Sequence, residues 1–289
     1  MSDSLQRFLF ENMPVRGHLV RLDATWRAVL ERHDYPQPLR TVLGELMAAG
    51  ALLSATLKFE GSLVMQMQGS GPVKLIVVEV TSEGTLRATA TWDGELPDAP
   101  LRTLLGAGRF VITLVPRDGG QSYQGIVDLN GDSVASVLEH YMATSEQLES
   151  RLWLAADDHL AGGLLLQKIP GEQDADADNW NRVSLLGGTI RSEELLKLPS
   201  REILRRLFHE DDLRVFEASP LSFRCSCSRE RVTGMLRSLG PDEVRSIVAE
   251  RGSVEVTCEF CRKRYVFDPV DAEQVFAAEI QTRAESTRH

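Results

Sequence analysis

The chain has 289 residues, 43% of them hydrophobic and 26% charged, and a net charge of −10. This is ordinary globular composition, enough for one large domain or two smaller ones, while the acidic balance argues against a general nucleic-acid binder, which needs a basic surface to neutralise phosphates. The opening stretch MSDSLQRFLFENMPVRGHLV lacks the charged-then-apolar pattern of a signal peptide, and no apolar run approaches membrane-spanning length, so the expectation is a soluble, cytoplasmic protein with no membrane partner.

In chain order, RGHLVRLD reads as an extended segment and ATWRAVLERH as a short helix, stopped by Tyr35-Pro36-Gln37-Pro38. Residues 39–59, LRTVLGELMAAGALLSATLKF, form a long helix apolar on nearly all sides, hence central and buried. Three strands follow, SLVMQMQG (62–69), VKLIVVEV (73–80) and TLRATATW (85–92), separated by GSGP and TSEG. MQMQ and LRATATW alternate with period two, as half-buried antiparallel strands do. RFVITLVP and QSYQGIVDL, joined by RDGG, read as a hairpin. SVASVLEHYMATSEQL gives one or two helices, with Thr144 and Gln147 at capping-box spacing. RLWLAADD and AGGLLLQKIP read as two more strands.

The fold class is therefore α+β: a mainly antiparallel sheet packed with helices in a large N-terminal domain, then a helical linker and a small C-terminal metal-binding domain. The composition turns acidic and polar at PGEQDADADNW (170–180), which places the boundaries at 1–175, 176–220 and 221–289. Within 181–220, Ser200 is placed to cap a short helix, REILRRLFHE. Ile203, Leu204, Leu207 and Phe208 share one face of it, and Glu202 and Arg206 have i,i+4 spacing. Such a helix is too short to be stable alone and must dock on something, either permanently as a connecting layer or conditionally.

Every cysteine lies in the last segment: Cys225 and Cys227 in RCSCSRE, Cys258 and Cys261 in TCEFCRKR, with 30 residues between the pairs. In a reducing compartment such pairs point to a metal rather than to permanent disulfides. Four sulfurs in two short-range pairs suit a tetrahedral zinc site, one Zn2+ per chain, and leave no open position for catalysis. Arg224, Arg229, Arg231, Arg262, Lys263 and Arg264 flank the cysteines; cations there would stabilise the −2 charge of zinc with four thiolates and keep the sulfurs ionised and oxidisable. They would equally serve as solvated residues or nucleic-acid contacts, although basic and acidic residues balance in this tail.

A tail of about 65 residues has a marginal core of its own, and a structural zinc contributes on the order of 10–16 kcal/mol of apparent folding energy. Disulfides formed on oxidation would replace it poorly. Loops closed within each motif stabilise by roughly 1.5–2 kcal/mol each, and one closed across the gap by roughly 3.6 kcal/mol. Local pairing would therefore exchange a folded module for an unfolded one, which turns oxidation into a conformational switch.

RGHLVRLDATW, LLGELMAAGALLSATLKFEG followed by MQMQGSGPVKLIVVE, YMATSEQ, AGGLLLQKIPG and CSC…CEFC together resemble the redox-regulated 33 kDa chaperonin (heat-shock protein 33) family, over most of the chain. The resemblance implies an ATP-independent holdase whose reduced, zinc-bound form is inactive. Oxidants, usually with heat, would release zinc, form the disulfides Cys225–Cys227 and Cys258–Cys261, unfold the tail and loosen the linker. Apolar surface would then be uncovered, and homodimers would bind unfolded client proteins. By motif position Cys225, Cys227, Cys258 and Cys261 are the implied zinc ligands, and Ile203, Leu204, Leu207 and Phe208 become candidates for linker or client surface.

Other classes find less support. There is no P-loop and no GxSxG, and GAGRF (106–110) lacks a third glycine in register. The six histidines are scattered. Cys258-Glu-Phe-Cys261 without a preceding βαβ pattern is a poor thioredoxin-like site, so no enzyme is expected. A static zinc-ribbon interaction or nucleic-acid-binding protein is the alternative. Nucleic acid is not expected as a partner.

Overall fold

The computed structural model describes residues 3–57, 59–169 and 178–276. Two compact units make up the chain, 1–224 and 225–289.

The first unit opens with an antiparallel pair, β1 (Ser4–Phe10) and β2 (Val15–Leu22). Helix α1 (Ala24–Leu30) follows. Its first amides are capped from outside the helix: the Asp3 carboxylate accepts from Ala24 N at 3.1 Å and Thr25 N at 2.6 Å. Helix α2 (Gln37–Ser54) starts earlier than its apolar pattern suggests. Pro36 is its N-cap and Pro38 sits in its first turn, where a missing N–H is harmless. It stops at Ser54, where the Ser54 and Thr56 hydroxyls turn back onto the Ala51 and Leu53 carbonyls.

Then come β3 (Gly61–Gly69), β4 (Val73–Thr81), β5 (Thr85–Trp92), helix α3 (Leu101–Leu105), β6 (Gly108–Pro116) and β7 (Tyr123–Asp128). Helix α4 (Val134–Thr144), β8 (Ser150–Ala156) and β9 (Ala161–Lys168) complete the run. The capping box expected at Thr144 and Gln147 does not form. Thr144 ends α4, its hydroxyl bonding the His140 carbonyl, and Gln147 has φ 55. The capping box instead opens this helix, between Ser133 and Ser136.

The strands form two mainly antiparallel sheets packed with helices. One has the order β10-β1-β2-β9-β8, where β10 is Leu213–Val215, with β11 (Ser219–Pro220) also beside β1. The other has the order β12-β5-β4-β3-β6-β7, where β12 (Ser222–Phe223) pairs in parallel with β5. Helix α2 lies between them, which accounts for its all-round apolar character: Leu43, Leu46, Met47 and Leu52 are buried in one core with Val20, Leu22 and Leu165 of the first sheet and Met65, Ile76 and Val78 of the second. A Cβ on Gly44 would fall 2.5 Å from that of Ala156, so the helix can approach the first sheet only with glycine there.

The outer face of the first sheet is covered by the segment after β9. Helices α5 (Asn179–Gly187), α6 (Ser192–Lys197) and α7 (Ser200–Leu207) bury Trp180, Val183, Leu195, Leu196, Ile203, Leu204, Leu207 and Phe208 against Phe8, Phe10, Val15, Leu19, Leu164 and Leu166. With helices on both sides, β9 is buried along almost its whole length and its sequence, AGGLLLQK, is correspondingly continuous. The expected boundary at 175 falls outside the described residues. Ser200 does not cap α7: Pro199 is the N-cap and Ser200 the first helical residue. Arg206 pairs with Glu194 of α6 at 2.5 Å instead of with Glu202, because docking brings the preceding helix alongside.

The second unit contains α8 (Arg229–Leu239), α9 (Pro241–Arg251) and the antiparallel hairpin β13 (Val254–Thr257)–β14 (Arg264–Phe267), with 269–276 helical. Leu236, Val244, Val254, Tyr265, Phe267 and Phe276 form a small core. Among the described residues, no helix is long and apolar enough to cross a membrane.

Candidate metal centre

One irregular stretch and one hairpin turn build the sulfur cluster. Cys225 and Cys227 lie in the extended stretch that ends at Ser228, whose side chain accepts from Arg231 N at 3.2 Å and caps α8. Cys258 and Cys261 sit at the tip of the β13–β14 hairpin. There Arg262 N donates to the Cys258 carbonyl at 2.8 Å and Cys258 N to the Lys263 carbonyl at 3.0 Å. The turn closes through Arg262 at φ 61, a left-handed conformation costly for a residue with a side chain.

Hairpin and extended stretch meet with all four sulfurs within 4.8 Å of one another, each half-buried. Cys225 Sγ lies 3.6 Å from Cys258 Sγ, and Cys227 Sγ 3.3 Å from Cys261 Sγ. A tetrahedron with metal–sulfur bonds of about 2.3 Å has edges of about 3.8 Å, so the four atoms fit a thiophilic ion. All four candidate ligands are brought together.

Their electrostatics point the same way. Burial pushes Cys261 up to about 12, against the pull of the Lys263 amide, and raises Cys258 despite the amides of Cys261 and Phe260. At Cys227 burial also acts upward, but hydrogen bonds from Tyr265 and the neighbouring thiols outweigh it and bring the group down to about 7. The Cys227 thiolate forms readily, while burial above all holds Cys258 and Cys261 back. A bound cation would remove that conflict.

Three of the six flanking cations face carboxylates. Arg229 pairs with Asp271 at 2.8 Å and lies over the Phe267 ring at 4.2 Å, Arg264 pairs with Glu255, and Arg262 approaches Glu259 at 3.8 Å. Arg231 bonds Ser226 Oγ at 2.6 Å. These contacts tie the small unit together.

Tyr265 escaped the reading of the sequence. Its hydroxyl donates to Cys227 Sγ at 3.1 Å. The only signal was a Tyr at an inward position of RYVF, indistinguishable from an ordinary core residue. The candidate surface residues Ile203, Leu204, Leu207 and Phe208 lie far from solvent, 4%, 4%, 8% and 2% exposed. Phe208 packs edge-on to Phe10 with ring centroids 5.1 Å apart and tilted to Phe8 at 6.1 Å.

The family model described as "Hsp33 protein" matches residues 3–268. The chain belongs to the Hsp33 family. A 33 kDa chaperonin of Chromobacterium violaceum is 54% identical over 289 residues, covering 99% of this chain and 98% of the relative. One from Methylobacillus flagellatus is 53% identical over 291 residues, covering 100% and 99%. The crystal structure of the 33 kDa chaperonin (heat shock protein 33 homolog) from Thermotoga maritima aligns with a TM-score of 0.82 at 24% identity, over 96% of this chain and 99% of that one. At that identity the likeness to this Hsp33 member concerns the fold.

Proposed function

We propose that this chain is a cytoplasmic, redox-regulated, ATP-independent holdase, a chaperone that keeps unfolding proteins from aggregating and is not an enzyme. The observation that carries the reading is the apolar face of the first sheet, with Phe8, Phe10, Val15, Leu19, Leu164 and Leu166 covered by one segment, 179–208. That segment leads, within a short stretch of chain, into an oxidisable four-sulfur cluster. The names of its relatives as chaperonins agree.

In the reduced state Cys225, Cys227, Cys258 and Cys261 would hold one Zn2+. Bound there, the ion acts as a structural cross-link that keeps four thiolates together. Oxidation of those thiolates to disulfides removes the donor set. We assign the pairs as Cys225–Cys227 and Cys258–Cys261, although the closest sulfurs in the folded cluster are the cross pairs. Sequence neighbours stay within reach once the tail loosens, whereas the cross pairs separate. With local pairs, nothing ties residue 225 to residue 261, and the small core alone must hold the unit.

Fraying from the tail then meets weak attachments. β12 and β11 are two-residue strands and β10 has three residues; such short edges open at low free energy. Beyond them lies α7, strongly amphipathic and too short to persist undocked. Its release would uncover the Phe8–Phe10 face for clients, and two such chains would associate as a homodimer.

The test treats zinc-loaded reduced protein with peroxide at mildly raised temperature. About one zinc per chain should leave, and aggregation of a denatured client should then be suppressed without ATP. Oxidised protein that keeps its zinc, or that protects no better than reduced protein, would refute the proposal.

A further inference from the structure

Tyr265 has a hydroxyl that packing does not require. The residue is 5% exposed, pairs with Val256 across the hairpin and places its ring in the small core beside Phe267 and Val244. A phenylalanine would fill that space, as Phe267 does at the next inward position of the same strand. The hydroxyl instead reaches out of the core to Cys227 Sγ at 3.1 Å. The ammonium of Lys263 lies 5.2 Å from the centre of the ring, and a cation on the π face draws electron density from the phenol and strengthens its O–H as a donor.

We propose that Tyr265 is a positioning residue of the sulfur centre, whose hydroxyl restrains Cys227 Sγ and sets the rate at which the CxC half of the cluster yields to peroxide. This role rests on the four-cysteine metal site. A hydrogen bond to a thiolate engages the lone pair that must act as nucleophile, so reaction requires that bond to weaken first. The chemistry balances with hydrogen peroxide as oxidant. The Cys227 thiolate attacks one peroxide oxygen, the O–O bond breaks, hydroxide leaves and the sulfur becomes a sulfenic acid. The Cys225 thiolate then displaces hydroxide from that sulfur, and the S–S bond forms. The sulfur pair loses two electrons, and both peroxide oxygens depart as hydroxide. Tyr265 acts on the first step, the one that uses the Cys227 lone pair.

The experiment compares full-length wild type with Tyr265→Phe, each loaded with zinc or cobalt(II). Metal release in peroxide is followed with a chromophoric chelator, and the order of cysteine modification by alkylation and peptide mapping. The variant should release zinc about tenfold faster, the effect of one hydrogen bond to a charged group. Cys227 should be modified earlier, and the sulfur-to-cobalt charge-transfer band should move to longer wavelength while the melting of the tail is unchanged. Phe267→Leu loosens the same core without touching the hydroxyl and should leave the cobalt band in place. A Tyr265→Phe protein with wild-type release rate and band position overturns the assignment. So does a Phe267→Leu protein that reproduces its shift. If wild type takes up neither zinc nor cobalt, the metal site itself fails; a loaded wild type beside an indifferent variant defeats the role of Tyr265 alone.

Discussion

Helix α2 and the four-sulfur cluster are each the feature around which a unit is organised, and they hold by different means. Around α2, two sheets bury Leu43, Leu46, Met47, Met65 and Val78 completely, and that burial is indifferent to oxidants. The second unit sets a handful of side chains, Leu236, Val244, Tyr265 and Phe267 among them, beside a cluster of thiols. On the proposed reading, such a protein would lose one unit to oxidation while the other keeps its fold. The layer α5–α7 belongs to the first unit by its contacts, yet only one face of one sheet retains it.

The contrast is broken most severely by removing a sulfur. Cys261→Ser should abolish amide-exchange protection in α8, β13 and β14 even under reducing conditions with zinc supplied, since a structural four-thiolate site provides on the order of 10 kcal/mol of apparent folding energy. Protection in β3, β4 and β6 should persist. Protected amides in the hairpin of the variant would show that the small core suffices without the metal.

A smaller effect separates the two apolar clusters of the first unit. Phe110→Ala and Phe208→Ala each remove a buried aromatic, at about 3–5 kcal/mol. Phe110 lies in the core around α2, so its loss should lower the melting of the whole unit. Phe208 touches Phe8 and Phe10 on the covered face, so its loss should chiefly release α7. Limited proteolysis should then cut near 188–217 with the sheets intact, and reduced protein should gain partial protection of a denatured client. Equal, global destabilisation by both variants would mean that the layer is as permanent as the core.

Why the sequence revealed some of this and not the rest follows from range. Strands β3 to β7, helix α2 and the cysteine pairs carry local signals: alternation in MQMQ, glycine-bearing turns, fixed spacing. The edge strands β10 and β11 have none, because three residues of LRV and two of SP become strands only through β1, some two hundred positions upstream in the register Phe8–Val215 and Ser4–Pro220. β1 itself went unread, since Phe8 and Phe10 face a layer supplied by α7 and SLQRFLF shows no clean alternation by itself. The capping of α1 by Asp3 and the pairing of Arg206 with Glu194 are likewise long-range choices. Tyr265 had the right residue type in the right strand, but only the folded hairpin aims its hydroxyl at sulfur.

The first unit also stores two titrations of opposite sign. Burial, then the charges of Arg16 and Arg7, lower His18 to about 3. The unfolded chain takes up that proton near its ordinary pKa of about 6.5, so the contribution is complete above that pH and lost as pH falls toward 3. Burial raises Glu45 to about 7. Here the folded state holds the proton longer, so stability falls as pH rises from about 4.5 through 7. The shifts correspond to roughly 5 kcal/mol for His18 and roughly 3 kcal/mol for Glu45. In urea titrations His18→Gln should flatten the acid limb, and Glu45→Gln the decline toward neutrality. The second unit, followed by its own amides, should respond to neither variant; a response there would mean that the two units do not unfold separately.

The smallest effect belongs to the turn that carries Cys258 and Cys261. Arg262 adopts φ 61, where a Cβ is strained and glycine is not. Its compensation is one exposed ion pair with Glu259 at 3.8 Å, a contact of the kind that contributes about 0–1 kcal/mol. Relief of the backbone is of similar or larger size, about 1 kcal/mol, while glycine's extra freedom in the unfolded chain offsets part of it. Arg262→Gly should therefore stabilise the second unit by about half a kcal/mol, visible as slower exchange of the Cys258 and Tyr265 amides, with the first unit unchanged. The sign matters more than the size. A turn already favourable before metal binds would make the sulfur cluster better organised in advance, and the variant should need more peroxide than wild type to release its zinc. Easier release from Arg262→Gly would show instead that the Arg262 side chain, and not the backbone, holds the CxxC half in place.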